Sequence, residues 1–117
     1  MGNPVVWFEV MGNDGEKLRA FYGSMFGWEF KAPPMEMDYG MVDAGGTGIP
    51  GGVGKAPAGP GWVTFYVEVA DIDASLAQAA AAGGQVLMPK MAYPGGHLAV
   101  FSDPEGHPIG LSQSPAA

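Results

Sequence analysis

Two stretches of the chain carry the same order of local signals, and that repetition limits the fold more than any other feature. In Trp62–Gly84, WVTFYVEVADIDASLAQAAAAGG, a β-branched and aromatic run leads into Asp71 and Asp73 as candidate helix caps. Leu76, Ala79 and Ala80 then recur at helical spacing, and Gly83-Gly84 supplies the stop. Val5–Gly27, VVWFEVMGNDGEKLRAFYGSMFG, is again strand, Asn/Asp cap, amphipathic helix and glycine stop. Phe8-Glu9-Val10 lies over Val67-Glu68-Val69 at an offset of 59 residues, so the order of elements carries the repeat more than the letters do. A chain of 117 residues in two such halves is predicted to be an α+β domain: unit one 1–54, a linker 55–61, unit two 62–113 and a tail 114–117.

Alternation on the first strand places Val5, Trp7 and Glu9 on one face and Val6, Phe8 and Val10 on the other. The helix after it carries a stripe of Leu18, Phe21, Tyr22, Met25 and Phe26, which is predicted to cover Val6, Phe8 and Val10. Trp7 and Glu9 are then left on the opposite face. Further strands are predicted at 28–31, 39–44 and 49–53. The second half repeats the scheme, with a strand at 63–69, a helix at 72–82 and strands at 85–89, 97–102 and 108–113. The Gly/Pro-rich stretches 45–61 and 89–96 are candidate lids. Within the first, Gly46, Gly48 and Gly51 match the spacing of a dinucleotide fingerprint, but the residues that follow, PGGVGKAPAGPG, cannot form the helix that motif needs.

Composition removes several functions. Twelve acidic against five basic side chains give a net charge of −7, with no basic stripe for a phosphate backbone, so nucleic acid is not expected as a partner. The absence of cysteine excludes disulfides, thiolate catalysis and Cys-ligated zinc. No apolar run reaches membrane-spanning length and no secretory leader is visible, so a cytoplasmic, membrane-independent protein is expected.

Three motifs together carry a family resemblance: the helix end Phe21, Tyr22, Phe26, Gly27 and Trp28, the strand-to-helix entry FYVEVADID at 65–73, and AVFSDPEGHPIGL at 99–111. With two βαβββ units, the chain resembles the vicinal oxygen chelate superfamily, the glyoxalase, bleomycin-resistance and extradiol-dioxygenase group. The resemblance implies curved mixed sheets around a cup-shaped cavity, and a homodimer. Enzymes of the family hold a divalent metal with side chains from the first and last strands of each unit. Those positions fall here on Val5, Thr64, Gly110 and the Gly51-Gly52 region. Valine and glycine carry no donor, and a neutral threonine hydroxyl is a poor ligand for zinc, iron or nickel. Neither metal nor cofactor is therefore expected.

What remains is a sheet face lined by rings and carboxylates. Trp7, Glu9, Thr64, Tyr66, Glu68 and His97 are the candidate ligand-binding residues. Flat rings suit a planar or partly apolar small molecule, each good stack contributing roughly 0.5–1.5 kcal/mol beyond area burial. Glu9 and Glu68 are weak candidates for a general base. The same aromatics also fit simple packing at a subunit interface, and the same glutamates fit solvated charges. Two functions follow: a metal-independent small-molecule-binding protein like the drug-sequestering resistance proteins, or a superfamily isomerase, epimerase, cyclase or lyase. The second would use a cavity glutamate, or a non-standard divalent-metal site drawn from His97, His107 and the glutamates.

Overall fold

The computed structural model describes residues 2–43, 45 and 47–115. The chain is α+β and divides into two compact units, Trp7–Val63 and Thr64–Ala117 with Met1–Val6. The first residues thus belong with the second half of the chain. Asn3 Nδ2 donates to the Glu68 carbonyl at 3.0 Å, and the Glu68 N–H donates to the Pro4 carbonyl at 2.9 Å.

In the unit Trp7–Val63, strand β1 (Val5–Gly12) leads to helix α1 (Gly15–Phe26), followed by β2 (Phe30–Lys31), β3 (Tyr39–Val42) and β4 (Gly51–Lys55). The strand order is β2-β3-β4-β1; β4 runs parallel to β1, and the remaining pairs are antiparallel. Asp14 caps α1 by accepting the Lys17 N–H at 3.0 Å. Gly27, at φ 71°, ends the helix in the left-handed conformation that glycine adopts without penalty.

The predicted apolar stripe of α1 is covered only in part. Leu18 and Tyr22 are half-buried, but Phe21, Met25 and Phe26 stay 56%, 59% and 57% exposed. Trp28 fills the space at the end of the helix, with its ring centroid 5.3 Å from Phe8, 5.2 Å from Phe26 and 6.0 Å from Tyr22. One large ring does the covering that the stripe was expected to do, which frees the outer part of the stripe for solvent. The expected strand 39–44 ends at Val42 (Ala44 lies outside the described residues), and β4 begins later than 49. The glycine-spaced stretch runs directly into β4 and no helix follows it; Gly46 lies outside the described residues.

In the other unit, β5 (Trp62–Glu68, of which Thr64 onward belongs here) leads to α2 (Ile72–Ala81). Strands β6 (Gln85–Tyr93), β7 (Gly96–Ser102) and β8 (Pro108–Gln113) follow. The order is β5-β8-β7-β6, parallel between β5 and β8 and antiparallel elsewhere. Asp71 caps α2 by accepting the Ala74 N–H at 3.1 Å, and the Ile72 N–H donates to Gln113 Oε1 at 2.8 Å. The core of this unit joins Ile72 and Leu76 of α2 to Ala99 and Leu111 of the sheet, with Val67, Val69 and Phe101 packed around them.

The stretch 89–96 is not a loop. β6 runs through Pro89 to Tyr93, leaving only Pro94-Gly95 as the turn into β7. Pro89 has no N–H to donate, and an outer strand tolerates that defect; the pairing with β7 shifts register between Met88 and Met91. The lid expected there is therefore an edge strand. The Asp103–His107 turn is held from within: Asp103 Oδ1 accepts the backbone N–H of Glu105 at 2.9 Å and of His107 at 3.0 Å. The His107 backbone bond is the largest cause that holds the Asp103 carboxyl below its ordinary range.

Ile72 is fully buried at the first turn of α2. Ile72→Ala should cost about 2–5 kcal/mol through lost transfer energy and the cavity left behind. A urea midpoint that falls without a change in slope would report it; an unchanged midpoint would remove Ile72 from the core.

Candidate functional site

The first strand's alternation places Trp7 and Glu9 on the face of β1 away from α1, and three side chains of the same unit converge there. Glu9 is 8% exposed. Its Oε2 accepts the Tyr39 hydroxyl at 3.0 Å and its Oε1 accepts the Trp62 indole N–H at 3.1 Å. Trp7 completes the chain by donating its indole N–H to the Tyr39 hydroxyl at 2.9 Å. Taking a carboxylate out of water is costly unless donors replace the water, and here two side-chain donors do so. Each partner is placed by a separate element: Tyr39 opens β3, Trp62 opens β5, and Gly52 of β4 pairs with Glu9. A Cβ on Gly52 would overlap the Tyr39 hydroxyl, so glycine is required for the phenol to reach the carboxylate.

Burial, and then the charge of Glu9, push the Tyr39 phenol well above its ordinary value near 10. The phenol therefore keeps its proton and acts as the donor to Glu9.

The structure sorts the other expected residues. Thr64 is buried, and its hydroxyl donates to the Pro108 carbonyl at 2.6 Å. Tyr66 is buried against Gly110, its register partner on β8. Glu68 ties down the C-terminal segment: its Oε1 accepts the Ser114 N–H at 3.2 Å and the Ser114 hydroxyl as well. That contact gives Glu68 an anchoring role. His97 shares the α2-side parity of Ala99 and Phe101, and its register partner Gln113 reaches the first turn of α2. It therefore lies beneath the helix, on the opposite face of the sheet from Tyr66. Its Nδ1 is buried without a hydrogen-bond partner. His107 is exposed and pairs with Asp103 at 2.9 Å.

Tyr39 and Trp62 were missed because neither shares a strand with the residues that suggested the site. A signal for Tyr39 existed: buried glycines in a strand mark close approach by another group, and Gly51-Gly52 stood in the expected fourth strand.

The caps also correct the alignment of the two units. Asp14 and Asp71 are 57 residues apart, not 59, and Gly12 and Val69 two positions before them both face their helices. On this count Trp7 corresponds to Thr64 and Glu9 to Tyr66. Their register partners, Gly52 and Gly110, then correspond as well. The first-strand metal position moves from Val5 to Trp7, whose indole N–H donates and cannot ligate. Among the described residues, no three His, Asp or Glu side chains stand together as a metal-holding group.

Two concavities lie elsewhere. One of about 410 Å³ runs along α1 between Gly12 and Tyr22, and one of about 320 Å³ lies between Gly27 and Asp43. Neither is lined by Glu9. Among the described residues, no helix is long and apolar enough to cross a membrane.

With this geometry in place, comparison with known proteins defines the class. The pattern of the glyoxalase-like domain matches residues 7–112, and the chain belongs to that family, within the vicinal oxygen chelate superfamily. Proteins of Mycobacterium bovis and Mycobacterium tuberculosis named "Putative glyoxylase CFP32" are 30% identical over 92% of this chain. The chain spans 44% of the length of those relatives. Methylmalonyl-CoA epimerase from Mycobacterium tuberculosis has the same fold, with a TM-score of 0.67 at 12% identity over 96% of this chain and 88% of that one. The Mn(II)-bound glyoxalase from Novosphingobium aromaticivorans gives a TM-score of 0.67 at 20% identity, over 95% of this chain and 38% of that one.

The raised phenol makes a testable alkaline limit. In the unfolded chain Tyr39 ionises near its ordinary value, while in the folded chain it holds its proton. The stability this contributes is therefore complete below about pH 10 and is lost as pH rises above it. Denaturation midpoints should fall more steeply above pH 10 in the wild type than in Tyr39→Phe. Equal slopes would show that the Tyr39 phenol is not protected.

Proposed function

We propose that this protein is a metal-independent small-molecule-binding protein of the glyoxalase/bleomycin-resistance type. It holds a planar or partly apolar ligand in a cup against the face of Trp7, Tyr39, Glu9 and Trp62. The observation that carries this reading is the buried Glu9 carboxylate, oriented through both oxygens by Tyr39 and Trp62. An apolar side chain would fill that volume at lower cost, so a carboxylate kept there supports recognition of a ligand N–H or O–H. The rings of Trp7, Tyr39 and Trp62 supply flat surface beside it. The missing donor set supports metal independence: the superfamily's ligand positions hold Trp7, Thr64, Gly52 and Gly110. Homodimerisation belongs to the same proposal, supported by the apolar surface that Phe21, Met25 and Phe26 leave exposed.

The second reading is an enzyme, suggested by the epimerase and glyoxalase neighbours, with Glu9 as its base. Glu68, whose Oε1 accepts from Ser114, is the weaker candidate for that role. A thermal-shift screen of planar amines, phenols and acyl-CoA thioesters against the whole protein separates these readings. Binding predicts that at least one compound raises the melting temperature. Glu9→Gln should then weaken its affinity by about tenfold or more, as expected for loss of a charged hydrogen bond. Turnover of a bound compound that vanishes in Glu9→Gln would establish the enzyme instead. If no compound shifts the melting temperature, the binding proposal fails.

A further inference from the structure

We infer that tyrosine rings have taken over the two last-strand positions, one in each unit, at which metal-holding members of this fold would carry a ligand. Gly52 and Gly110 are equivalent by register: Gly52 pairs with Glu9 on the parallel neighbour β1, and Gly110 pairs with Tyr66 on the parallel neighbour β5. Both glycines are buried. A Cβ on Gly52 would overlap the hydroxyl and ring of Tyr39, and a Cβ on Gly110 would overlap the ring of Tyr66. The two rings come from different places, one from the start of β3 and one from the first strand of the unit itself. Their arrival at equivalent positions is therefore not a by-product of the repeat.

The consequence is chemical. A metal-ligating residue at either glycine would first have to expel a ring, and neither position can take even a methyl group without a shift of its neighbours. The first-strand positions offer no remedy. The Thr64 hydroxyl is committed to the Pro108 carbonyl, and the Trp7 indole donates to Tyr39. Glu9, the register partner of Gly52, has both carboxylate oxygens accepting from side-chain donors, Tyr39 and Trp62. Tyr39 is thus a positioning residue that acts through Glu9, and Gly52 is the space it requires. A solved neighbour of the same fold is Mn(II)-bound, so the fold itself does not forbid a metal. These side chains do.

Two measurements on the full chain test this. The wild-type protein is dialysed against Mn²⁺, Ni²⁺ or Zn²⁺, washed through buffer, and assayed for retained metal and for a shift in melting temperature. No retained metal and no shift are expected. One equivalent of metal, lost together with its thermal shift in Glu9→Gln, would overturn the inference.

A double-mutant cycle then asks whether the ring is what fills the space. Gly52→Ala should lower the melting temperature by several degrees in the wild type and have little effect in a Tyr39→Ala background. An equal loss in both backgrounds would show that Tyr39 does not occupy that volume. The dialysis arm stands even if a variant fails to fold. A negative ligand screen would leave this inference intact, while a retained metal would overturn it together with the metal independence of the proposed function, leaving ligand binding itself to the screen.

Discussion

A carboxylate withdrawn from water must be met by donors, and meeting Glu9 fixes much of the unit around it. On β1, Glu9 lies on the face that looks away from α1. Tyr39 must open β3 at a height where its phenol reaches Oε2, and Trp62 must turn its indole toward Oε1. Gly52 must lack a side chain, or the phenol has nowhere to lie. Trp7 then fixes the phenol's orientation by donating to its oxygen. Removing one partner would leave the others imperfectly paired, which is why such networks act as a unit.

The equivalent place in the other unit holds a ring. Tyr66 stands where Glu9 would, and its ring lies over Gly110. The two halves therefore share an architecture without sharing a chemistry. One presents an oriented carboxylate among indoles, and the other a buried ring and a Thr64 hydroxyl committed to the backbone.

Much of this was legible in the chain. The repeat, both helices and their acidic caps follow from local signals, because capping and 3.6-residue spacing act within a few residues. The parity that puts Trp7 and Glu9 together follows from the two-residue period of a strand. What escaped is long-range. Tyr39 is 30 residues from Glu9 and Trp62 is 53, and no local pattern encodes those meetings. His97 was expected to face the cavity, but its register with Gln113 places it under α2, a matter of sheet pairing that sequence spacing cannot supply. The Pro/Gly content of 89–96 suggested a loop, whereas an outer strand absorbs proline by shifting register. The offset of 59 matched letters, and the caps matched geometry.

The central claim is that Glu9 is held by two side-chain donors inside the fold. Its most direct test is the indole N–H region of a proton–nitrogen correlation spectrum, followed through hydrogen exchange. The chain has three tryptophans, so the resonances can be assigned by substitution. The Trp62 indole N–H should resist exchange in the wild type. Glu9→Gln should move its resonance and speed its exchange, while the Trp28 indole stays in place. A Trp62 indole that exchanges at the rate of a solvent-exposed indole, and is indifferent to Glu9→Gln, would contradict the account.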